Sequence, residues 1–150
     1  MNKIEFKDLP DTTTPFAASI FNEMQDNVEE AINLINTYST DEIVIGTWLG
    51  KPLYRKVYSA GTLPNATTKN IPSGLIPSDV FIVKMEGIAK VETRNVYIPL
   101  PFVTITELNC ISLTFQADGN IRIQTGVDRT EFNESYVVLE YTKTTDVSEV

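Results

Sequence analysis

The sequence predicts a mainly β chain: an antiparallel β-sandwich head preceded by one N-terminal α-helix that forms a short coiled coil and builds a homotrimer. Three observations carry this expectation. Ala17, Phe21, Met24, Val28, Ala31, Ile35 and Tyr38 are separated by alternating steps of four and three, the seven-residue repeat of a helix that packs against other helices. After Tyr38 the pattern changes to six or seven short β-branched and aromatic runs, with turn residues at roughly eight-to-twelve-residue spacing. The whole chain is 150 residues, enough for one domain with an appendage. The expected division is an extended arm over 1–16, an oligomerising helix over 17–38 and a β-sandwich head over 39–150.

Taken in order, the arm carries Pro10, Pro15 and a TTT run. Thr14 and Pro15 form a reasonable N-cap and first-turn pair. In the helix, Ile20, Ile32 and Leu34 flank the seam and widen the apolar stripe, which suits three helices better than two. Its other face holds Glu23, Asp26, Glu29 and Glu30 and no cation. No second helical run follows for it to pair with. The alternative is that it lies on a sheet of its own domain. Ile43–Leu49 and Leu53–Tyr58 read as a hairpin around Gly50-Lys51-Pro52. Leu53, Arg55 and Val57 should face one way, Tyr54, Lys56 and Tyr58 the other. Residues 59–79, with three prolines and two glycines, read as a long irregular loop. Val80–Val91 reads as a strand with Gly87 as a bulge. Asn95–Val103 reads as an edge or bent strand because of Pro99 and Pro101. Cys110–Gln116 and Ile121–Thr125 flank Ala117-Asp118-Gly119-Asn120, the strongest hairpin signal in the chain. Tyr136–Lys143 alternates as a final strand.

Composition narrows the chemistry. Net charge is −8, which argues against nucleic-acid binding and against an anionic lipid surface. No secretory signal and no apolar run of membrane-spanning length are read, so no membrane insertion is expected. A single cysteine, Cys110, leaves no internal disulfide and reads as a buried small hydrophobe. Histidine is absent, which removes histidine-based nucleophile triads and HExxH zinc sites. No phosphate-cradling glycine motif occurs. No cofactor and no metal are expected. The carboxylate pairs Asp41 with Glu42, Asp118 with Asp128, and Glu131 with Glu134 sit in turns or hinges, where acidic residues serve turns and solubility. No catalytic residue is assigned. Trp48, beside a turn, reads as core or interface packing. Aromatic faces with planar hydrogen-bonding side chains suit sugars. Tyr97, Arg94, Asn95, Asn120 and Arg122 are the candidate glycan contacts, while Phe21, Met24, Val28, Ala31 and Ile35 are the candidate trimer contacts.

The order GTWLGKPLYRK, GTLPNATTKNIPSGL, FIVKMEGIAK, YIPLPF and IRIQTGVDRTEFNESYVVLEYTK resembles the C-terminal domain of bacteriophage tail-fibre and minor tail proteins, over about 40–143. The resemblance implies a structural, non-enzymatic virion component, made in the cytoplasm of a bacterial host. Its implied partners are copies of itself, other phage tail or capsid proteins, and a bacterial cell-surface polysaccharide or protein. Trp48, Gly50, Lys51, Pro52, Tyr54 and Arg55 would serve folding and trimer packing. The short arm leaves no room for a fibre shaft, so a compact tail or head appendage is expected. The alternatives are a carboxylate-based depolymerase of surface polysaccharide, and a structural baseplate or decoration protein without a ligand.

Overall fold

A computed structural model describes residues 18–35 and 37–147, and the side chains of residues 20–33 within the helix. The chain divides into two compact units, 1–37 and 38–150. The arm over 1–16, its Thr14–Pro15 cap, Ala17 and the side chain of Ile35 fall outside the described residues. The first unit contains helix α1, Ala18–Ile35. Beyond its last turn, Thr37 donates its hydroxyl to the Asn33 carbonyl at 2.6 Å, occupying one of the carbonyls that a helix end leaves free. Tyr38, read as the end of the seam, belongs to the second unit. Its ring lies under the Arg55 guanidinium, 4.3 Å from it.

The second unit is mainly β. Among the described residues it has β1 (Ile43–Trp48), β2 (Lys51–Ser59), β3 (Thr68–Pro72), β4 (Val80–Val91), β5 (Val96–Leu100), β6 (Ile111–Phe115), β7 (Asn120–Thr125) and β8 (Glu134–Lys143). They form two antiparallel sheets, ordered β1-β2-β8-β4-β5 and β3-β7-β6. One apolar core draws on both. Val137, Leu139 and Tyr141 of β8 are fully buried, as are Ile121 and Ile123 of β7, with Ala89 and Leu100 beside them. Burying each large aliphatic side chain contributes about 1.5–3 kcal/mol. The period-two alternation of β8 and β7 is therefore the main statement in the sequence about which face is inside.

Four local expectations are corrected. The β1–β2 turn is Leu49-Gly50, with φ of 50° and 79°, and Lys51 already pairs with Trp48. Positive φ at both central residues is the primed geometry that matches strand twist; glycine supplies it freely and Leu49 does so at a cost. Trp48 is 42% exposed, which removes the core half of its reading and leaves interface packing. Within the expected loop 59–79, β3 pairs with β7, Ile71 opposite Ile121. The rest of that loop is pinned by backbone bonds such as Ala60 N–H to Ser135 O at 2.8 Å and Leu63 N–H to Phe132 O at 2.9 Å. Finally, the irregularity in β4 falls between Ile82 and Lys84, while Gly87 pairs regularly with Val137 and Leu100.

Close approach explains Gly87. A Cβ there would stand 2.6 Å from the Tyr136 carbonyl oxygen and 3.2 Å from Leu100 Cβ. Backbone in the middle of a sheet cannot move aside cheaply. Gly87→Ala is expected to destabilise the fold by about 1–3 kcal/mol, as overpacking does. A thermal melt matching the parent would show that the sheet yields at this point.

Candidate functional site

The five-stranded sheet has a second face, turned away from the core. In β4, buried Ala89 and Val91 alternate with Ile88 and Lys90; in β8, buried Ser135 and Val137 alternate with Glu134 and Tyr136. The register then builds an array. Lys90 stands opposite both Tyr97 and Glu134, and Ile88 opposite both Pro99 and Tyr136. The outcome is one row Tyr97–Lys90–Glu134 beside a second row Pro99–Ile88–Tyr136. Between them is a shallow cleft of about 150 Å³ lined by Ile88, Lys90, Tyr97, Glu134 and Tyr136.

Its polar groups are oriented by one another. Lys90 Nζ lies 5.7 Å from the Tyr97 ring centre and 3.7 Å from Glu134 Oε2. The Tyr136 hydroxyl donates to Glu134 Oε1 at 3.3 Å. Tyr97 is 56% and Tyr136 38% exposed, so two ring faces flank a lysine and a carboxylate within reach of solvent. Hydroxyl, ammonium and carboxylate together supply donors and acceptors on an apolar floor, the usual make-up of a small-molecule cleft. The β4–β5 turn forms the rim. There Arg94 is ion-paired with Glu131, and the Asn133 amide donates to Glu92 Oε2 at 3.1 Å. Asn95 occupies this turn with φ of 51°, a conformation that asparagine tolerates.

The candidate contacts separate. Tyr97, Arg94 and Asn95 belong to this face and its rim. Asn120 and Arg122 lie in β7 of the other sheet, where Arg122 alternates with buried Ile121 and Ile123 and also points away from the core. Arg122 Nε donates to Asn70 Oδ1 at 3.1 Å, and the Asn120 amide donates to Asp118 Oδ2 at 2.9 Å. They form a separate polar surface. The sequence singles out neither Ile88, Lys90 nor Tyr136, and it presents Glu134 only as a turn acid. The tight ETRN turn centred between Thr93 and Arg94 places Lys90 opposite Tyr97, and that signal was readable.

Among the acidic pairs, Asp118, Asp128 and Glu42 hold local structure together. Asp118 accepts the Asn120 backbone N–H, and Asp128 accepts the N–H and hydroxyl of Thr130. Both are held below the ordinary aspartate value, first by those backbone hydrogen bonds. Glu42 binds the Tyr141 hydroxyl and Lys143 Nζ, beside a cleft of about 280 Å³ that also includes Leu75, Asp79 and Val80. Burial raises the Glu42 pKa, but the hydrogen bonds from Lys143 and Tyr141 outweigh it and hold the carboxyl low. Burial and then the Glu42 charge push Tyr58 up to about 12. Cys110 is half-buried, its thiol 3.5 Å from the Thr104 N–H. Among the described residues, no three His, Cys, Asp or Glu side chains are grouped to hold a metal ion, and no helix is long and apolar enough to cross a membrane.

A pH prediction follows from Glu42. A carboxyl whose pKa is lowered by folding adds stability above its unfolded value. That stability is lost as pH falls through the lower folded value. For Glu42 the loss begins near the ordinary value of 4.5 and continues below it. Glu42→Gln should therefore be less stable than the parent near neutrality and lose less stability on acidification. Melts from about pH 6 to about pH 2 test this, and parallel curves would assign the acid sensitivity elsewhere.

Set against family models, curated proteins and solved structures, the chain gives no significant match.

Proposed function

We propose that this chain is a non-enzymatic component of a bacteriophage tail or a comparable virion appendage, in which α1 trimerises the chain and β-sandwich heads hold a carbohydrate of the bacterial surface. Helix α1 carries the reading. Phe21, Met24 and Val28 of the seam are 40%, 58% and 54% exposed, at steps of three and four, and Ile20 and Ile32 flank them at 42% and 45% on the same helix face. Ala31 is exposed beside them. An apolar stripe of that width marks an interaction surface, and heptad spacing marks another helix as its partner. The acidic balance disfavours an anionic membrane as an alternative cover.

The aromatic cleft at Tyr97 supports the ligand half of the proposal. A carboxylate-based depolymerase has less support. Glu42, Asp118 and Asp128 are held in the ionised form, whereas a glycosidase needs one carboxyl raised to act as the acid.

Light scattering on the purified chain tests the assembly. The expected mass is about three times the 16.8 kDa of one chain. A monomer at micromolar concentration would overturn the trimer.

A further inference from the structure

We propose that the cleft between Tyr97 and Tyr136 takes one ring of a neutral pyranose, in preference to an anionic sugar. This deepens the carbohydrate-binding reading above and rests on it. Size is the first argument. The cleft of about 150 Å³ has the room of roughly five water molecules, enough for a single sugar ring and too little for a folded peptide segment. Shape and surface are the second. Tyr97, Ile88, Pro99 and Tyr136 offer apolar and aromatic faces in adjacent register positions, matched to the C–H face of a pyranose. Lys90 and Glu134, 3.7 Å apart, place a donor beside an acceptor. Neighbouring hydroxyls of a sugar, each both donor and acceptor, can bridge that pair without displacing either charge.

Charge selects the class. An anionic sugar needs an uncompensated cation, because stripping water from a carboxylate is costly without one. Here Lys90 faces Glu134 and Arg94 faces Glu131, and Glu92 adds a further negative charge at the rim. The chain as a whole carries −8, so its field repels uronates on approach. A neutral ring incurs neither penalty and keeps the stacking.

Saturation-transfer NMR on the full chain tests this with maltotriose, mannotriose and N-acetylchitotriose as neutral probes and trigalacturonate as the anionic one. At least one neutral trisaccharide should bind at millimolar concentration. Its affinity should fall at least tenfold in Tyr97→Ala and in Glu134→Gln, and persist in Arg122→Ala on the other sheet. Tyr97 and Glu134 are solvent-exposed enough for both variants to fold, which circular dichroism checks. Preference for trigalacturonate, retention of binding in Tyr97→Ala, or no neutral trisaccharide bound overturns the assignment. Adsorption of the chain to bacterial cells after periodate oxidation of their glycans reports separately on the broader reading. Undiminished adsorption removes glycans with vicinal diols as the ligand, whichever way the cleft behaves.

Discussion

Arg55→Met is expected to lower the stability of the β unit by about 3–5 kcal/mol, the cost of leaving a buried charge without its partner. Arg55 in β2 donates from Nε and Nη2 to Glu140 Oε1 of β8 at 2.9 and 2.7 Å. Their side chains are only 10% and 11% exposed, and the Tyr38 ring covers the guanidinium. The pair stands on the face of the sheet opposite the main core, since it alternates with Tyr54, Leu139 and Tyr141. Removing Arg55 strands the Glu140 carboxylate in this covered site. Removing both charges does not, because two apolar side chains of similar length can fill the gap. The double variant Arg55→Met/Glu140→Leu should accordingly recover most of the loss. At this chain size the single variant should shift Tm by roughly 10 °C. Equal melts for the single and double variants would show that lost packing, and not an orphaned charge, dominates the effect.

This pair also shows which parts of the fold can be read from the sequence. Glu140 looked like an ordinary outward residue of an alternating strand. Its partner is 85 positions away, and no local pattern connects them. By contrast, Val137, Leu139 and Tyr141 announced their buried face by alternation, and Asp118-Gly119 announced its turn, where Gly119 takes φ of 79°. These features depend on neighbours along the chain. Strand β3 is not legible in the sequence because TKNIP contains little apolar pattern of its own; its pairing with β7 decides it. Gly87 is ambiguous in the sequence because a glycine in a strand has two causes, a bulge or a close neighbour, and only the fold distinguishes them. The cleft lies between these extremes. Tyr97 stands out by its chemistry, and the turn places Lys90 opposite it. Glu134 and Tyr136 required the β4–β8 register, fixed only when the shared core forms.

Val28→Asp is expected to have the largest effect on binding. In the proposed trimer, position 28 lies mid-seam, so three aspartates would converge where apolar side chains should meet. The surrounding helix surface offers no relief. Glu23, Asp26, Glu29 and Glu30 are all acidic, and the described helix contains no lysine or arginine. Several kcal/mol of unpaired charge exceeds what about three heptads can offset, and the mass should fall to that of one chain. A single head binding one sugar ring binds weakly, whereas linked heads gain about 10²–10⁴ in avidity on a repetitive glycan. Adsorption to bacterial cells should drop by that range while the affinity for a free trisaccharide stays unchanged, and Val28→Leu should preserve both assembly and adsorption. The separation of these two readouts assigns the role of the helix. If mass holds and adsorption falls, the stripe itself touches the cell surface. If both hold, α1 packs within its own subunit and its role as the trimer seam must be abandoned.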